Sequence, residues 1–215
     1  MKRVLVATSN SGKLRDFAGA AATHGVQIEA LPGFASLPNV IEDGETFEAN
    51  ARKKAEHYSK YAEGELVIAD DSGLAVDALG GAPGVHSARY AAGEKNAPEC
   101  APNSDDEANN AHLLLELHDV PDEFRTACFV CVIAVARNGH TLAIFHGKAE
   151  GLILRAPRGS NGFGYDPLFY FPEIGKSFAE LTAEEKARHS HRGAALRAFL
   201  QWEDESLELH PHTAG

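Results

Sequence analysis

The sequence lacks an apolar run long enough to cross a bilayer, and it has few cysteines. Its 215 residues include only Cys100, Cys128 and Cys131, an odd and sparse set that does not indicate a disulfide framework. The apolar stretch at residues 4–7 is too short for a signal peptide, and polar Thr8 follows at once. We therefore interpret residues 4–7 as a first β-strand, and we expect a cytoplasmic protein without a membrane partner.

An excess of basic residues is also missing. Lys and Arg number 20 against 31 Asp and Glu, which gives a formal net charge of −11. Proteins that bind the backbone of long nucleic acids usually carry a basic face, so this balance argues against nucleic acid as the main partner. A small anionic ligand is still compatible, because it needs only a few local cations, backbone N–H groups and a metal ion.

Two common catalytic motifs are absent, namely the Gly-x-Ser-x-Gly elbow and the zinc-binding His-Glu-x-x-His. Cys128 and Cys131 have the C-x-x-C spacing, but they lie in a continuous apolar run that predicts a buried strand. Residues three apart on a strand face opposite sides and do not chelate one metal. We favour inert core cysteines over a redox or zinc pair, and a metal-activated water over a covalent nucleophile.

Strands alternate with helices along the chain, which predicts an α/β fold. The predicted strands cover residues 4–7, 66–69, 124–136 and 141–147, with Asn138 and Gly139 forming a hairpin turn. The predicted helices cover residues 12–24, 47–61 with Thr46 as N-cap, 105–118, and a split pair within 183–202. We expect a single two-lobed domain over residues 1–203. Residues 91–104 and the tail 204–215 are expected to be flexible.

The junction of the first strand and first helix indicates a phosphate-binding segment. It places small polar side chains, a glycine and a lysine at a helix N-terminus, where N–H groups and the helix dipole favour phosphate oxygens. The glycine spacing of a Walker A motif is absent, and a capped helix with an exposed lysine is the alternative. The segment consists of Thr8, Ser9, Asn10, Ser11, Gly12 and Lys13.

Two acidic segments are candidates for holding a divalent cation. Asp70 and Asp71 come at the predicted end of a buried strand, where neighbouring side chains point oppositely, so one of them is expected to face a cleft. Magnesium binds through one or two carboxylates plus substrate phosphates; a turn built on Asp-Ser-Gly is the alternative. Glu42 lies in a second acidic cluster, for which the helix dipole and solubility are a sufficient explanation on their own.

Two later segments offer groups that could bind a nucleobase. Phe163 and Tyr165 stand among three glycines, which allow close backbone approach while the rings offer stacking surfaces; a tight surface turn is the alternative. Lys186 is followed by His191 and Arg192 just before the last helix. The histidine can donate or accept a hydrogen bond depending on its protonation, and the arginine offers a fixed, planar set of donors. The Ser-His-Arg motif alone is weak evidence for base binding.

Together these segments resemble the inosine/xanthosine triphosphate pyrophosphatase family. The resemblance implies an α/β fold whose long, mixed central sheet is flanked by helices, with two lobes around an active-site cleft, and a homodimer. It implies Mg²⁺-dependent hydrolysis of non-canonical purine nucleoside triphosphates (ITP, dITP and XTP) to the monophosphate and pyrophosphate. The matching stretches follow in family order at residues 7–14, 46–47, 50–51, 69–77, 79–90, 162–167, 179–182, 185–186 and 190–193.

The resemblance also implies a role for each matched position. Asp71 is expected to be the catalytic general base at the magnesium, and Glu42 to be a second metal ligand. The implied substrate contacts are Thr8, Ser9, Asn10, Ser11, Gly12, Lys13 and Ser72, then Phe163, Gly164, Tyr165 and Asp166 around the base and sugar, and Lys186, His191 and Arg192. Two departures stand out: Ala49 occupies a position that is often acidic in the family, and residues 93–109 are longer than usual.

Two other functions are compatible with these residues. One is a house-cleaning pyrophosphatase for other modified nucleotides, including pyrimidines, and the other is a nucleotide-binding module without catalysis. Inosine and xanthosine carry a 6-oxo acceptor where adenine carries a 6-amino donor, so a buried donor from His191 or Arg192 would favour the oxo purines. No residue that would reject the 2-amino group of guanine can be identified from the sequence.

Overall fold

In a computed structural model, which describes residues 2–21, 24–93 and 105–209, seven strands form one sheet in the order β2-β1-β3-β4-β5-β6-β7. β1 pairs in parallel with β2 and β3, whereas all later neighbours are antiparallel, so the predicted mixed sheet is confirmed. The strands are β1 Lys2–Val6, β2 Val26–Ala30, β3 Val67–Val76, β4 Thr126–Arg137, β5 His140–Ile153, β6 Phe169–Phe171 and β7 Lys176–Ser177.

The helices flank this sheet, as predicted, and one of them begins at its expected capping residue, Thr46. Thr46 accepts a hydrogen bond from the backbone N–H of Ala49, and Thr182 forms a reciprocal capping box with Glu185. The predicted split near the C-terminus is confirmed at Ser190. The α-helices are α1 Ser11–Ala21, α2 Phe47–Tyr58, α3 Asp106–Glu116, α4 Ala183–His189 and α5 His191–Leu209.

The third strand is the main departure from prediction. The strand was expected to end at Asp70 and Asp71, but β3 continues to Val76 and pairs with β4 along its whole length. Gly73 is used for close packing, because a Cβ atom there would lie 2.6 Å from the carbonyl oxygen of Gly84. The alternative of a turn built on Asp-Ser-Gly is therefore wrong, and the two aspartates lie in the middle of a long strand.

Other element bounds differ from the sequence predictions at their ends. The last helix continues to Leu209, so residues 204–209 of the expected tail are helical. β5 is longer than predicted, and β2, β6 and β7 were not predicted at all. Residues 94–104 of the segment expected to be flexible, which include Cys100, lie outside the described residues, as do residues 210–215.

The hydrophobic core consists of three clusters, of which two lie on opposite faces of the sheet. On one face, α1 and α5 pack on β1 and β4 through residues such as Phe17 and Phe199. On the other face, α2 packs on β1, β3 and β4 through Ala51 and Ala55. The third cluster covers the far half of the long strands and contains α3 residues and the ring of Phe129. The middle of β3 lies where these clusters meet.

The two described cysteines agree with their interpretation as core residues. Cys131 is buried and Cys128 is half-buried, and neither is in a disulfide. Burial raises the pKa of the Cys131 thiol, which keeps it protonated and unreactive. Within the described ranges, no helix combines the length and apolar character that a membrane span requires.

Candidate active site

The alternation of side chains along β3 sends Asp70 and Asp71 to opposite faces of the sheet. Asp70 meets Lys13 of α1 and Arg192 of α5, whereas Asp71 meets Asn50 and Lys54 of α2. The sequence predicted that one aspartate would face a cleft but could not say which. The structure shows that each has its own set of partners.

Asp70 is the counter-ion of the phosphate-binding segment. Both of its carboxylate oxygens contact Nζ of Lys13, at 3.0 and 2.9 Å, and its side chain is 1% exposed. Ser72 Oγ donates to the same carboxylate at 3.0 Å, and Arg192 Nε lies 3.7 Å away. Burial would raise the pKa of Asp70, but Lys13 and Arg192 outweigh it and hold the pKa well below its usual range. Asp70 therefore stays ionised and fully committed to these contacts.

Asp71 is less committed to cations. Its Oδ2 accepts a hydrogen bond from Asn50 Nδ2 at 3.1 Å, and its Oδ1 lies 3.6 Å from Lys54 Nζ. Burial raises the pKa of this carboxyl group by more than Lys54 and Lys13 lower it. A half-buried carboxylate, with 13% of its side chain exposed and its nearest cation 3.6 Å away, is suited to accept a proton or to bind a metal ion.

Lys54 links Asp71 to Glu42 and was not identified from the sequence. Its Nζ lies 2.6 Å from Glu42 Oε2, and the residue is 8% exposed. Burial would lower the pKa of Lys54, but Asp71 and Glu42 outweigh it and raise the pKa. Asn50 was also missed as a site residue, although it belongs to a stretch that matches the family; it holds Gly44 near Asp71 through both ends of its amide. Their four-residue spacing on α2, which puts Asn50 and Lys54 on one helix face, was the available signal.

The carboxylates of Glu42 and Asp71 fit a metal ion that is shared with the substrate. Within residues 2–21, 24–93 and 105–209, no group of three His, Cys, Asp or Glu side chains could hold a metal by itself. The two carboxylates nevertheless converge on one positive charge, the Lys54 ammonium group. Two carboxylates completed by phosphate oxygens are the usual arrangement for magnesium.

The segment predicted to bind phosphate lies at the start of α1, as expected. Asn10 caps the helix, because its Oδ1 accepts from the backbone N–H of Lys13 at 3.0 Å, and the N–H of Asn10 donates to Thr8 Oγ1 at 3.2 Å. Ser9, Asn10 and Ser11 are exposed. Small exposed hydroxyl and amide groups at a helix N-terminus can receive phosphate oxygens.

The candidate base end of the site, at Phe163, Lys186 and Arg192, consists of one aromatic ring next to two cations. The ring centroid of Phe163 lies 4.9 Å from Arg192 Cζ and 5.0 Å from Lys186 Nζ. Both cations also approach Asp16 Oδ2, at 3.1 Å and 3.4 Å. Asp16 was missed by the sequence analysis; it lies three residues after Lys13 and so on the same face of α1. The structure thus brings Phe163, Lys186 and Arg192 together, as the resemblance implied.

Gly12 explains how closely the phosphate-binding segment and the ring approach each other. A Cβ atom at Gly12 would lie 2.5 Å from Phe163 Cδ1, so only glycine fits the present position of the ring. Arg192 Nη2 donates to Ser72 Oγ at 2.7 Å, and Ser72 in turn donates to Asp70. The phosphate and base ends of the site are therefore in direct contact.

Asp166 and Tyr165 anchor the turn at residues 162–166, the aromatic turn, which carries Phe163. The Asp166 carboxylate is buried and accepts from the N–H of Phe163 at 2.9 Å and from Lys186 Nζ at 2.7 Å. Burial raises the pKa of Asp166 by more than Lys186 lowers it. Tyr165 is 4% exposed and donates its hydroxyl to the carbonyl of Ser87 at 2.8 Å. The structure thus places Tyr165 in the core, although the resemblance implied that it lines the pocket.

His191 is buried behind the base end. It is 2% exposed and its ring stacks on Phe129 with centroids 4.7 Å apart. Burial, reinforced by Arg192 and Lys186, lowers the pKa of His191 well below its usual value, so the ring is neutral at pH 7. Its buried Nδ1 has no hydrogen-bond partner within the part of the chain that the structure describes. A buried polar atom of this kind needs a ligand or a water molecule.

Comparisons with known proteins agree on one family. The sequence model of the Ham1 family matches residues 4–202. The dITP/XTP pyrophosphatase of Geobacillus kaustophilus is 51% identical over 205 residues, which cover 95% of this chain and 96% of the relative. The relative of the same name from Acidobacterium capsulatum is 51% identical over 195 residues, 91% of this chain and 95% of its own. A HAM1 protein from Coxiella burnetii has a similar structure, with a TM-score of 0.78 and 39% identity, covering 95% of this chain and 100% of its own.

Loss of the charge at Asp70 and at Asp71 should have different effects on the free energy of unfolding. At pH 7 in EDTA, we expect Asp70→Asn to lower the free energy of unfolding by about 3 kcal/mol, because Lys13 and Arg192 lose a buried counter-ion. Asp71→Asn should be neutral or stabilising, since a raised carboxyl pKa means that the ionised form costs stability above that pKa. Urea unfolding of the two variants beside the wild type measures both values.

The pH dependence supplies the sign. Because the pKa of Asp70 is lowered in the folded protein, its ionised form stabilises the fold above the ordinary carboxyl pKa, and this stabilisation is lost as the pH falls toward the pKa of the folded state. The difference in free energy of unfolding between wild type and Asp70→Asn should therefore become smaller below about pH 4. Equal destabilisation by the two substitutions at pH 7 would contradict the different environments described above.

Proposed function

Because the chain belongs to the Ham1 family, we propose that it hydrolyses the non-canonical purine triphosphates ITP, dITP and XTP to the monophosphate and pyrophosphate, and so cleanses the nucleotide pool. The proposal is supported by relatives at 51% identity that are named dITP/XTP pyrophosphatases. The single structural observation that carries it is the series of contacts from Lys13 through Asp70 and Ser72 to Arg192. This series joins a phosphate-binding helix start to a base-binding ring and guanidinium.

The triphosphate lies along the start of α1 in this proposal. The hydroxyl and amide groups of Thr8, Ser9, Asn10 and Ser11 and the helix dipole receive phosphate oxygens. Lys13 holds the negative charge that develops on the leaving pyrophosphate, with Asp70 fixing its ammonium group in place. Phosphoryl transfer depends mainly on such positioning and charge stabilisation.

The metal in this proposal is Mg²⁺, held by Glu42, Asp71 and phosphate oxygens. When bound, it neutralises negative charge on the triphosphate. Lys54 keeps the two carboxylates at one place, since its ammonium group contacts both of them. Asn50 fixes the other oxygen of Asp71 and the backbone next to Glu42.

Asp71 is the proposed general base. It accepts a proton from the water whose oxygen bonds to the α-phosphorus, while the bond between that phosphorus and the bridging oxygen breaks and pyrophosphate leaves. Burial raises the pKa of this carboxyl group as long as no metal ion is bound to it. Asn50 bonds to Oδ2 of Asp71, whereas Oδ1 accepts from the backbone N–H of Ser72 at 3.1 Å and lies 3.6 Å from Lys54 Nζ.

In this proposal the purine stacks on Phe163, and hydrogen-bond donors of Arg192 and His191 recognise its edge. The guanidinium group of Arg192 lies next to the Phe163 ring. The preceding residue, neutral His191, has a buried Nδ1 without a hydrogen-bond partner among the described residues. A donor aimed at a 6-oxo group is left facing another donor when adenine binds, which costs roughly 1–3 kcal/mol. This contact favours inosine and xanthosine over adenine.

A substrate panel tests the activity. With Mg²⁺, we expect pyrophosphate release from ITP, dITP and XTP with kcat/KM at least about tenfold above ATP, because one buried donor is unpaired with adenine. EDTA should stop the reaction. Pyrophosphate and inorganic phosphate are measured separately. Equal rates for ITP, XTP, GTP and ATP would refute the purine selection, and a preference for modified pyrimidines would support the house-cleaning alternative.

Removing the proposed base tests the mechanism. Asp71→Asn should lower kcat for ITP by about 10²–10⁴-fold while the variant stays folded, because the amide cannot accept the proton from water. Asp77→Asn is the matched control, since Asp77 is an exposed carboxylate just beyond the end of the same strand. Near-wild-type turnover by Asp71→Asn at saturating Mg²⁺ would disprove the assigned role.

The assembly expected from the resemblance is a homodimer, and the expected location is the cytoplasm. Sedimentation equilibrium should give twice the chain mass of 23.0 kDa at micromolar concentration. A single species of 23.0 kDa across the accessible concentration range would contradict the dimer.

A further inference from the structure

The first turn of α3 holds the peptide groups on both sides of Gly164. Asp106 Oδ2 accepts from the N–H of Gly164 at 2.6 Å, and Asn110 Nδ2 donates to the carbonyl oxygen of Gly164 at 2.9 Å. The two side chains are four residues apart and so lie on one face of the helix. Asn110 Nδ2 also donates to the backbone carbonyl of Asp106 at 2.7 Å, which fixes its own orientation.

Gly164 is the residue on which the direction of the aromatic turn depends. Its φ of +61° lies in the left-handed region, which a residue with a side chain rarely adopts. Phe163 comes directly before it, so the peptide between them, whose N–H binds Asp106, sets where the ring points. The ring of Phe163 has little freedom, because Gly12 lies against it on one side and Arg192 on another.

α3 is itself a fixed support. Asn109 is buried, accepts from the N–H of Ala91 at 2.8 Å and donates to the carbonyl of Ala88 at 3.3 Å, which ties the helix to the 3₁₀ segment Gly84–Ala92. At the other end, Arg125 Nη1 donates to the carbonyl of Leu117 at 2.6 Å. Movement at Gly164 relative to α3 therefore requires loss of the Asp106 and Asn110 hydrogen bonds.

The opposite side of the turn has a separate support. There the Asp166 carboxylate accepts from the N–H of Phe163 and pairs with Lys186, a cation of the base end. The α3 contacts at Gly164 involve neither Lys186 nor Arg192. They can therefore be altered without changing the charges that meet the nucleotide.

We propose that Asp106 and Asn110 are positioning residues for the Phe163 ring and thereby contribute to binding of the purine; this deepens the proposed function and rests on it. In this proposal the two side chains act through their hydrogen bonds to Gly164. Loss of either should weaken nucleotide binding much more than it slows the chemical step, because the phosphate end and Asp71 are unchanged.

The test compares KM with kcat for ITP. Asp106→Ala and Asn110→Asp should each raise KM about tenfold, the effect of one lost hydrogen bond, with kcat within about threefold of wild type. Asn110→Asp is nearly isosteric but places a carboxylate against two carbonyl oxygens, so it serves if Asp106→Ala folds poorly. Glu107→Gln is the matched control on the same turn, an exposed carboxylate that should leave both constants unchanged.

A double-mutant cycle separates positioning from general loss of structure. In a Phe163→Ala background, Asp106→Ala should change KM by less than about twofold, because the ring through which it acts is gone. If the two substitutions raise KM additively, or if Asp106→Ala and Asn110→Asp leave KM unchanged, the proposal is wrong.

Hydrogen exchange tests the contact independently of activity. Amides of residues 162–166 should exchange faster in Asp106→Ala than in wild type or Glu107→Gln, because the Gly164 N–H loses its acceptor. Unchanged exchange would overturn the positioning role. If the wild type releases no pyrophosphate from ITP, the proposed function fails by itself, and the exchange result still decides whether α3 holds the aromatic turn.

Discussion

Neighbouring side chains on β3 point to opposite faces of the sheet, and Asp70 and Asp71 therefore serve different partners. Asp70 contacts Lys13 and lies near Arg192, which brings the proposed phosphate-binding and base-binding residues together on one face. Asp71 faces α2, and its partners are the Asn50 amide, the backbone N–H of Ser72 and the Lys54 ammonium group 3.6 Å away. Two identical side chains thus acquire opposite shifts in pKa from burial and neighbours alone. Extension of β3 past both residues makes this division possible.

The cations of the site are already paired before a substrate arrives. Lys13 meets Asp70, Lys54 meets Glu42 and Asp71, and the base-end cations share Asp16. Pairing allows charged groups to be buried, since an unpaired buried charge is very costly. It also means that the side chains alone offer little net positive charge to a triphosphate. A divalent cation carried between Glu42, Asp71 and the phosphates fits this balance, in a chain whose net charge is −11.

Local signals in the sequence predicted much of the fold and part of the site. Capping at Thr46, the Asn138–Gly139 turn and the start of α1 depend on neighbouring residues only, and they were predictable. The length of β3 was not, because Asp-Ser-Gly has the composition of a turn and only pairing with β4 overrides it. Lys54 and Asp16 were missed for a similar reason. Lys54 pairs with Glu42 and Asp71 across a helix and a strand, and Asp16 pairs with Arg192, which is 176 residues away in the chain.

The central claim is that Asp71, on the α2 side of β3, is the carboxylate that meets the metal and the reacting phosphate. Crystals grown with Mn²⁺ and a non-hydrolysable ITP analogue would locate the metal by anomalous diffraction. The account predicts a peak about 2.1 Å from an Asp71 oxygen, with Glu42 and a phosphate oxygen beside it and Asp70 still bound to Lys13. A peak coordinated by Asp70 on the α1 side of the sheet, with no metal at Asp71, would contradict it.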